Sequence, residues 1–149
     1  MKNVLVTGAG GSIGSELCRQ ILELSPKKIV LLENSEYNLY SVHQELLRSK
    51  KRAEIIPKLA TVTNSQHVNQ VISSYNIDTI YHAAAYKHVP LQELNPWEAV
   101  QTNIQGTINL VDACELYNVE RFVLVSTDKA VNPTNVMGAS KRISEMFCR

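Results

Sequence analysis

Short apolar runs separated by longer segments of helical periodicity organise this chain. The runs at 4–6, 29–32, 54–56, 79–81 and 122–125 are rich in Val, Ile and Leu. They lack the alternation of half-exposed strands and predict strands buried on both faces. Between them apolar residues recur at helical spacing, as at Leu39, Val42, Leu46 and Leu47. Strands alternating with helices predict a parallel sheet covered by helices, an α/β fold. Asn64 is placed to cap the helix after the third strand. Asn95-Pro96-Trp97-Glu98 reads as another helix start, with an Asn cap, Pro at the first helical position and Glu at the third. The long helix that follows turns Val100, Ile104, Ile108 and Val111 to the sheet. Gly106 in its middle costs about 1 kcal/mol relative to alanine, which implies close packing there. A last helix begins near Asn135 and is still running, uncapped, at Arg149.

The turn from Thr7 to Glu16, between the first strand and the first helix, holds four of the six glycines. Gly8 permits a tight turn, Gly11 lets the backbone approach a pyrophosphate, and Gly14 lets the helix pack on the strand. The amides around Ser12 and Ile13 then open a helix N-terminus, which favours phosphate. Glu33, at the end of the second strand, stands near the offset of a carboxylate that accepts from adenosine ribose hydroxyls. It reads alternatively as a solvated strand end. A carboxylate there repels a 2′-phosphate, so NAD is favoured over NADP. Thr61 and Val62 fall where a mononucleotide fold lines its adenine pocket, Thr61 reading either as a bond to adenine or as a simple strand-end threonine, and Ala83, Ala84 and Ala85 let a flat cofactor lie against backbone. These features specify a Rossmann-type doubly wound parallel sheet.

Composition narrows the function classes. The 149 residues suit one domain, and a net charge of +1 with interspersed signs offers no field for nucleic acid or an anionic membrane. Three cysteines, Cys18, Cys114 and Cys148, lack the spacings of a zinc site or a disulfide framework and read as free thiols of a cytoplasmic protein. His82 and His88 have no partner set for a metal, and His82 reads as a packed, hydrogen-bonded histidine. No apolar run approaches the ~20 residues of a membrane span, and no signal peptide precedes the first strand.

The chemistry concentrates in Ser126 to Arg142, where a strand ends in a hydroxyl, a carboxylate and an ammonium before a turn and a helix carrying Lys141. Polar groups at the carboxyl end of a buried strand lie where open α/β sheets bind ligands. Lys87 reads either as a contact to a substrate phosphate or an active-site carboxylate, or as a solvated loop lysine. Asn103 reads either as a bond to strand backbone near that site or as a surface asparagine.

With the glycine turn, Ala83 to Pro90, Thr102-Asn103-Ile104-Gln105-Gly106-Thr107 and Ser126 to Arg142, the chain resembles the extended short-chain dehydrogenase/reductases. More narrowly it resembles the CapD-like nucleotide-sugar 4,6-dehydratases of capsule and O-antigen polysaccharide biosynthesis. Essentially the whole chain takes part, and Ser126 to Ala130 with Asn135 to Lys141 are the segments specific to that group. The resemblance implies bound NAD or NADP and a UDP-N-acetylhexosamine substrate, UDP-N-acetylglucosamine foremost. Hydride leaves carbon 4, water leaves across carbons 5 and 6, and the hydride returns to carbon 6. It implies that Thr127 orients the carbon-4 hydroxyl, Asp128 is the acid, Lys129 the base, and Lys141 the holder of the nicotinamide ribose.

Two departures from the family pattern stand out, of which the first marks a subgroup. Met137 stands where many relatives have a tyrosine and cannot transfer a proton. The carbon-4 proton then goes elsewhere, with Asp128 the first candidate and Tyr86 a distant second. Thr61 stands in for an aspartate that many relatives place before the valine. Relatives also continue into a sugar-gripping part, so the resemblance implies an incomplete domain over 1–149 that binds the dinucleotide without turning over sugar. The last helix is then expected to fray or to pair with another copy in a homo-oligomer. A nucleotide-sugar epimerase or reductase, or a non-catalytic dinucleotide-binding module, are the alternative readings.

Overall fold

In a computed structural model that describes residues 2–149, five parallel strands form one sheet. They are β1 (Asn3–Thr7), β2 (Lys28–Glu33), β3 (Glu54–Leu59), β4 (Thr79–His82) and β5 (Arg121–Leu124), in the order β3-β2-β1-β4-β5. The strand order reverses at β1, so a crevice opens between the carboxyl ends of β1 and β4, where doubly wound sheets take their ligands. The long helices are α1 (Ser12–Glu23), α2 (Glu36–Leu47), α3 (Ser65–Ser74), α6 (Gly106–Tyr117) and α7 (Val136–Phe147). Two short ones, α4 (Val89–Leu94) and α5 (Pro96–Ala99), precede a π-helical turn, Val100–Gln105.

Side-chain alternation sorts the core into two layers. Val4, Val6, Ile29 and Leu31 pack with Cys18, Ile21 and Leu22 of α1 and Leu39, Val42 and Leu46 of α2. Leu5, Val30, Leu32 and Ile80 pack on the other face with Val68, Val71 and Ile72 of α3 and Leu110 and Ala113 of α6. The strand β3 runs through Pro57, opposite Leu31, three residues beyond the apolar run at 54–56. Its position at the sheet edge allows this, because one side of its backbone has no ladder partner. Leu47, expected on the buried face of α2, is half exposed.

The segment after Asn95 departs from the continuous helix that its periodicity suggests. Asn95 does not cap through its side chain; its Nδ2 donates to Leu91 O at 3.0 Å instead. In the π-turn the backbone bonds reach back five residues, as in Gly106 N–H to Gln101 O. The extra residue shifts the buried face. Ala99, Asn103, Gly106, Thr107, Asn109, Leu110 and Ala113 are buried, whereas Val100, Ile104, Ile108 and Val111 are only half-buried. The helix α7 spans Val136–Phe147, and the Cys148 amide bonds Glu145 O. Among the described residues, no helix is long and apolar enough to cross a membrane, and no cluster of metal-ligating side chains occurs.

Candidate functional site

Backbone geometry sets the glycine turn. Gly8 has φ 66°, and a Cβ there would sit 2.7 Å from Ala84 N. A Cβ on Gly14 would sit 1.9 Å from Gly8 O, so α1 packs on the turn only because neither residue carries one. At Gly11 the nearest atom is Gly8 O at 3.4 Å, which leaves its outer side open. The first-turn amides of Ser12, Ile13 and Gly14 have no partner inside α1, and these residues line the crevice.

Glu33 anchors the turn from the opposite side. Its carboxylate is buried and accepts from Gly10 N at 2.9 Å, Asn34 N at 3.0 Å and Ser35 N at 3.1 Å. It is therefore not a solvated strand end. Beyond it Thr61 lines the crevice, with its hydroxyl engaged by Thr63. Val62 is held by two residues of α6: Asn109 Nδ2 donates to its carbonyl at 2.9 Å, and its side chain fills the space a Cβ on Gly106 would need. The sequence did carry a signal for this clamp, a glycine and an asparagine three apart on one helix face, but only Gly106 was read from it.

His82, fully buried, joins β1, β4 and α6. The hydroxyl of Thr107 donates to Asn103 O at 2.7 Å, so at 3.0 Å from His82 Nε2 it must accept. That fixes the proton on Nε2, leaving Nδ1 to accept from the Thr7 hydroxyl at 2.6 Å. The Thr7 oxygen in turn lies 3.3 Å from the donating amide of Ala84. Burial, with the Lys141 charge second, pushes the imidazole down to about 3 and keeps it neutral.

Asn103 bonds the backbone of Tyr86 twice, accepting from its amide at 2.9 Å and donating to its carbonyl at 3.1 Å. Its role is the backbone bond, not that of a surface asparagine. Tyr86 thereby stands between two continuous parts of the crevice, of about 170 and 470 Å³. The smaller part is lined by Gly8, Gly11, Glu33, Thr61, Val62 and Ala83 to Ala85. The larger adds Ser12, Ile13 and Gly14 to Lys87, Thr127, Lys129, Met137 and Lys141. Lys141 reaches in from α7 and donates to Val125 O at 2.7 Å. Its burial lowers its pKa, and no carboxylate among the described residues forms an ion pair with it.

Asp128 is the candidate that does not line the crevice. Its side chain is 90% exposed, accepts from the Thr127 hydroxyl at 3.0 Å and lies 3.6 Å from Lys129 Nζ. The hydroxyl's bond, then the Lys129 charge, hold this carboxyl below its ordinary range and favour the carboxylate. Two supports of α7 escaped the sequence reading. Glu93 of α4 accepts from Val136 N at 2.6 Å, and Glu145 accepts from the Ser126 hydroxyl at 2.5 Å. Both are tertiary contacts without a local pattern.

Residues 4–149 match the family model described as polysaccharide biosynthesis protein. The chain is 52% identical over 146 residues to the capsular polysaccharide biosynthesis protein CapD of Staphylococcus aureus, covering 97% of itself and 24% of that relative. It is 35% identical over 145 residues to a UDP-N-acetylglucosamine 4,6-dehydratase (inverting) of Campylobacter jejuni, covering 97% of itself and 42% of the relative. Among solved structures, Pen from Bacillus thuringiensis superposes with TM-score 0.90 at 38% identity, over 97% of this chain and 45% of that one. A DesIV double mutant from Streptomyces venezuelae, a dTDP-glucose 4,6-dehydratase with NAD and DAU bound, superposes with TM-score 0.80 at 25% identity, over 97% and 50%. The chain thus spans half or less of the length of each.

Proposed function

The chain belongs to the polysaccharide biosynthesis protein family, and from that premise we propose that it is the dinucleotide-binding part of a nucleotide-sugar 4,6-dehydratase. The observation that carries the reading is one crevice lined by both a glycine turn at a helix N-terminus and the side chains of Thr127, Lys129 and Lys141. The unpartnered amides of α1 and the open side of Gly11 fit a pyrophosphate, and the Ala83 to Ala85 backbone fits a flat ring. NAD is the cofactor the site suits, since the Glu33 carboxylate lines the smaller part of the crevice and repels a 2′-phosphate. Its chemistry when bound would be to accept a hydride and to give it back.

The protein's own groups handle protons. Thr127 orients the carbon-4 hydroxyl of a UDP-N-acetylhexosamine and holds Asp128 through its own hydroxyl. Asp128, ionised at rest, takes the carbon-4 hydroxyl proton in place of the phenol that Met137 lacks. It then gives that proton to the hydroxyl departing from carbon 6, while Lys129 takes the proton from carbon 5 and returns one to carbon 5 at the end of the cycle. Lys141 holds the nicotinamide ribose, and Lys87 contacts a substrate phosphate. Proximity to a UDP-N-acetylglucosamine 4,6-dehydratase supports this substrate class.

Calorimetric titration of the chain with NAD and with NADP checks the binding half, and the expected outcome is one NAD bound per chain with NADP weaker. The catalytic half is read by NMR from the longer protein supplied with UDP-N-acetylglucosamine in deuterium oxide, where replacement of the sugar's carbon-5 proton by deuterium and a new methyl signal from carbon 6 are expected. Binding of neither dinucleotide would overturn the proposal.

A further inference from the structure

Two serines in α7 are buried without a part in the chemistry above. Ser140 and Ser144 are 3% and 0% exposed and lie one turn apart on the helix face that also carries Met137 and Lys141. Alanine would fill such a packed helix face with better helix propensity, and a buried hydroxyl is tolerated only when it is bonded. Both hydroxyls meet Asn103. Ser144 Oγ lies 2.5 Å from Asn103 O and 2.9 Å from Ser140 O; it has one proton, and the shorter contact is to Asn103. Ser140 Oγ accepts from Asn103 Nδ2 at 2.9 Å and donates to Met137 O at 2.7 Å.

The acceptor in α6's approach is specific to the π-turn. Asn103 sits inside that turn, and its carbonyl takes the hydroxyls of both Thr107 and Ser144, filling its two lone pairs. Its side-chain amide is also fully used, with one N–H on Tyr86 O, the other on Ser140 and the oxygen on Tyr86 N. A single buried residue therefore holds, at once, the Tyr86 loop between the two parts of the crevice and the inner face of α7.

We propose that Ser140 and Ser144 are positioning residues: by docking on Asn103 they fix the rotation and height of α7, and so keep Lys141 on Val125 O at the mouth of the crevice. This rests on the reading of the crevice as a dinucleotide site with Lys141 on the ribose. A helix of 12 residues whose inner face offered only small apolar contacts would be free to slide or turn by a fraction of a residue. Two directional bonds to one atom group remove that freedom. They also tie the lysine to the loop carrying Tyr86 and Lys87, so that both walls of the larger part of the crevice keep a common frame.

The test uses the full chain as Ser144→Ala and Ser140→Ala, with NAD affinity by calorimetry and the Lys141 ammonium followed by NMR across a pH series. The expected result is a dissociation constant for NAD raised about tenfold in Ser144→Ala and a Lys141 titration moved up toward that of an ordinary lysine. Ser140→Ala should shift both in the same direction. A fall in unfolding temperature alone, with NAD affinity within twofold of the wild type and Lys141 titrating unchanged, would overturn the proposal. If Ser144→Ala fails to fold, Ser140→Ala decides, and failure of both to fold would also sink the claim by making the pair purely structural. Absence of NAD binding in the wild-type chain would instead refute the dinucleotide reading, and the Lys141 titration would still decide the role of the serines.

Discussion

Glu33 ends β2 buried beneath the glycine turn, whereas Asp128 follows β5 with its side chain 90% exposed. The first carboxylate is held by three backbone amides from two segments, and the second only by its sequence neighbours Thr127 and Lys129. Around Glu33 everything is set by tertiary structure, from the Gly8–Ala84 contact to the clamp of Asn109 on Val62. Of the candidate side chains around Asp128, namely Thr127, Asp128, Lys129 and Lys141, only Lys141 is buried. Under the proposed function the difference separates two tasks. A pyrophosphate and two rings must be received by a surface already in place, whereas an acid or base that serves successive atoms of a sugar needs room to swing.

Valine at Gly14 attacks the rigid half hardest. In Gly14→Val the Cβ alone would meet Gly8 O at 1.9 Å and Gly8 C at 2.7 Å, both backbone atoms that cannot turn aside as a flexible side chain would. The expected outcome is loss of NAD binding in calorimetry together with a large fall in unfolding temperature.

A paired substitution sharpens the contrast at smaller scale. Glu33→Ala should cost about 2–4 kcal/mol in denaturant unfolding, since three backbone amides lose their acceptor. Asp128→Asn should leave the unfolding midpoint and NAD affinity unchanged while abolishing turnover in the longer protein. Equal effects of the two on stability would erase the distinction between the halves.

At the seam between them, His82 predicts a pH dependence. Its folded pKa of about 3 lies below the ordinary value of 6.5, so the unfolded chain binds the extra proton between those limits. Stability is full above about pH 6.5 and falls as pH drops toward 3, at roughly 1.4 kcal/mol per pH unit for this one group. His82→Gln, which cannot titrate, should flatten that slope in urea unfolding measured from pH 7 to 4.

What was legible in the sequence follows the same division. The buried strands announced themselves through continuous apolar runs, and the glycine turn through spacing, because both are local signals. Ser35, Asn64 and Asn135 cap their helices through their side chains, and of these only Asn64 is legible as a cap from the residues around it, Asn135 marking no more than where the last helix begins. Periodicity failed where the helix after Ala99 adds a residue, since a π-turn leaves the apolar pattern readable while displacing the face it describes. Asn95 looked like a cap because its local sequence favours one, and a competing bond to Leu91 O took its side chain. Thr127, Lys129 and Lys141 were found from their position after β5. The bonds that hold α7 from outside, Glu93 of α4 on Val136 N and Ser126 on Glu145, leave no trace that a single sequence can show.

The π-turn at Val100–Gln105 has a consequence for how this segment tolerates change in length. Deleting one residue from it would let the turn relax to an ordinary α-helix with α6 kept in phase, whereas one more inserted residue, wound at the usual α-helical pitch, would rotate every later position of α6 by about 100°. Thr107 would leave His82, Asn109 would leave Val62, and Leu110 would leave the core. The turn acts as the reading frame of the site: it has already taken up one extra residue and can give that residue back, but a further insertion puts the whole downstream face out of phase with the sheet.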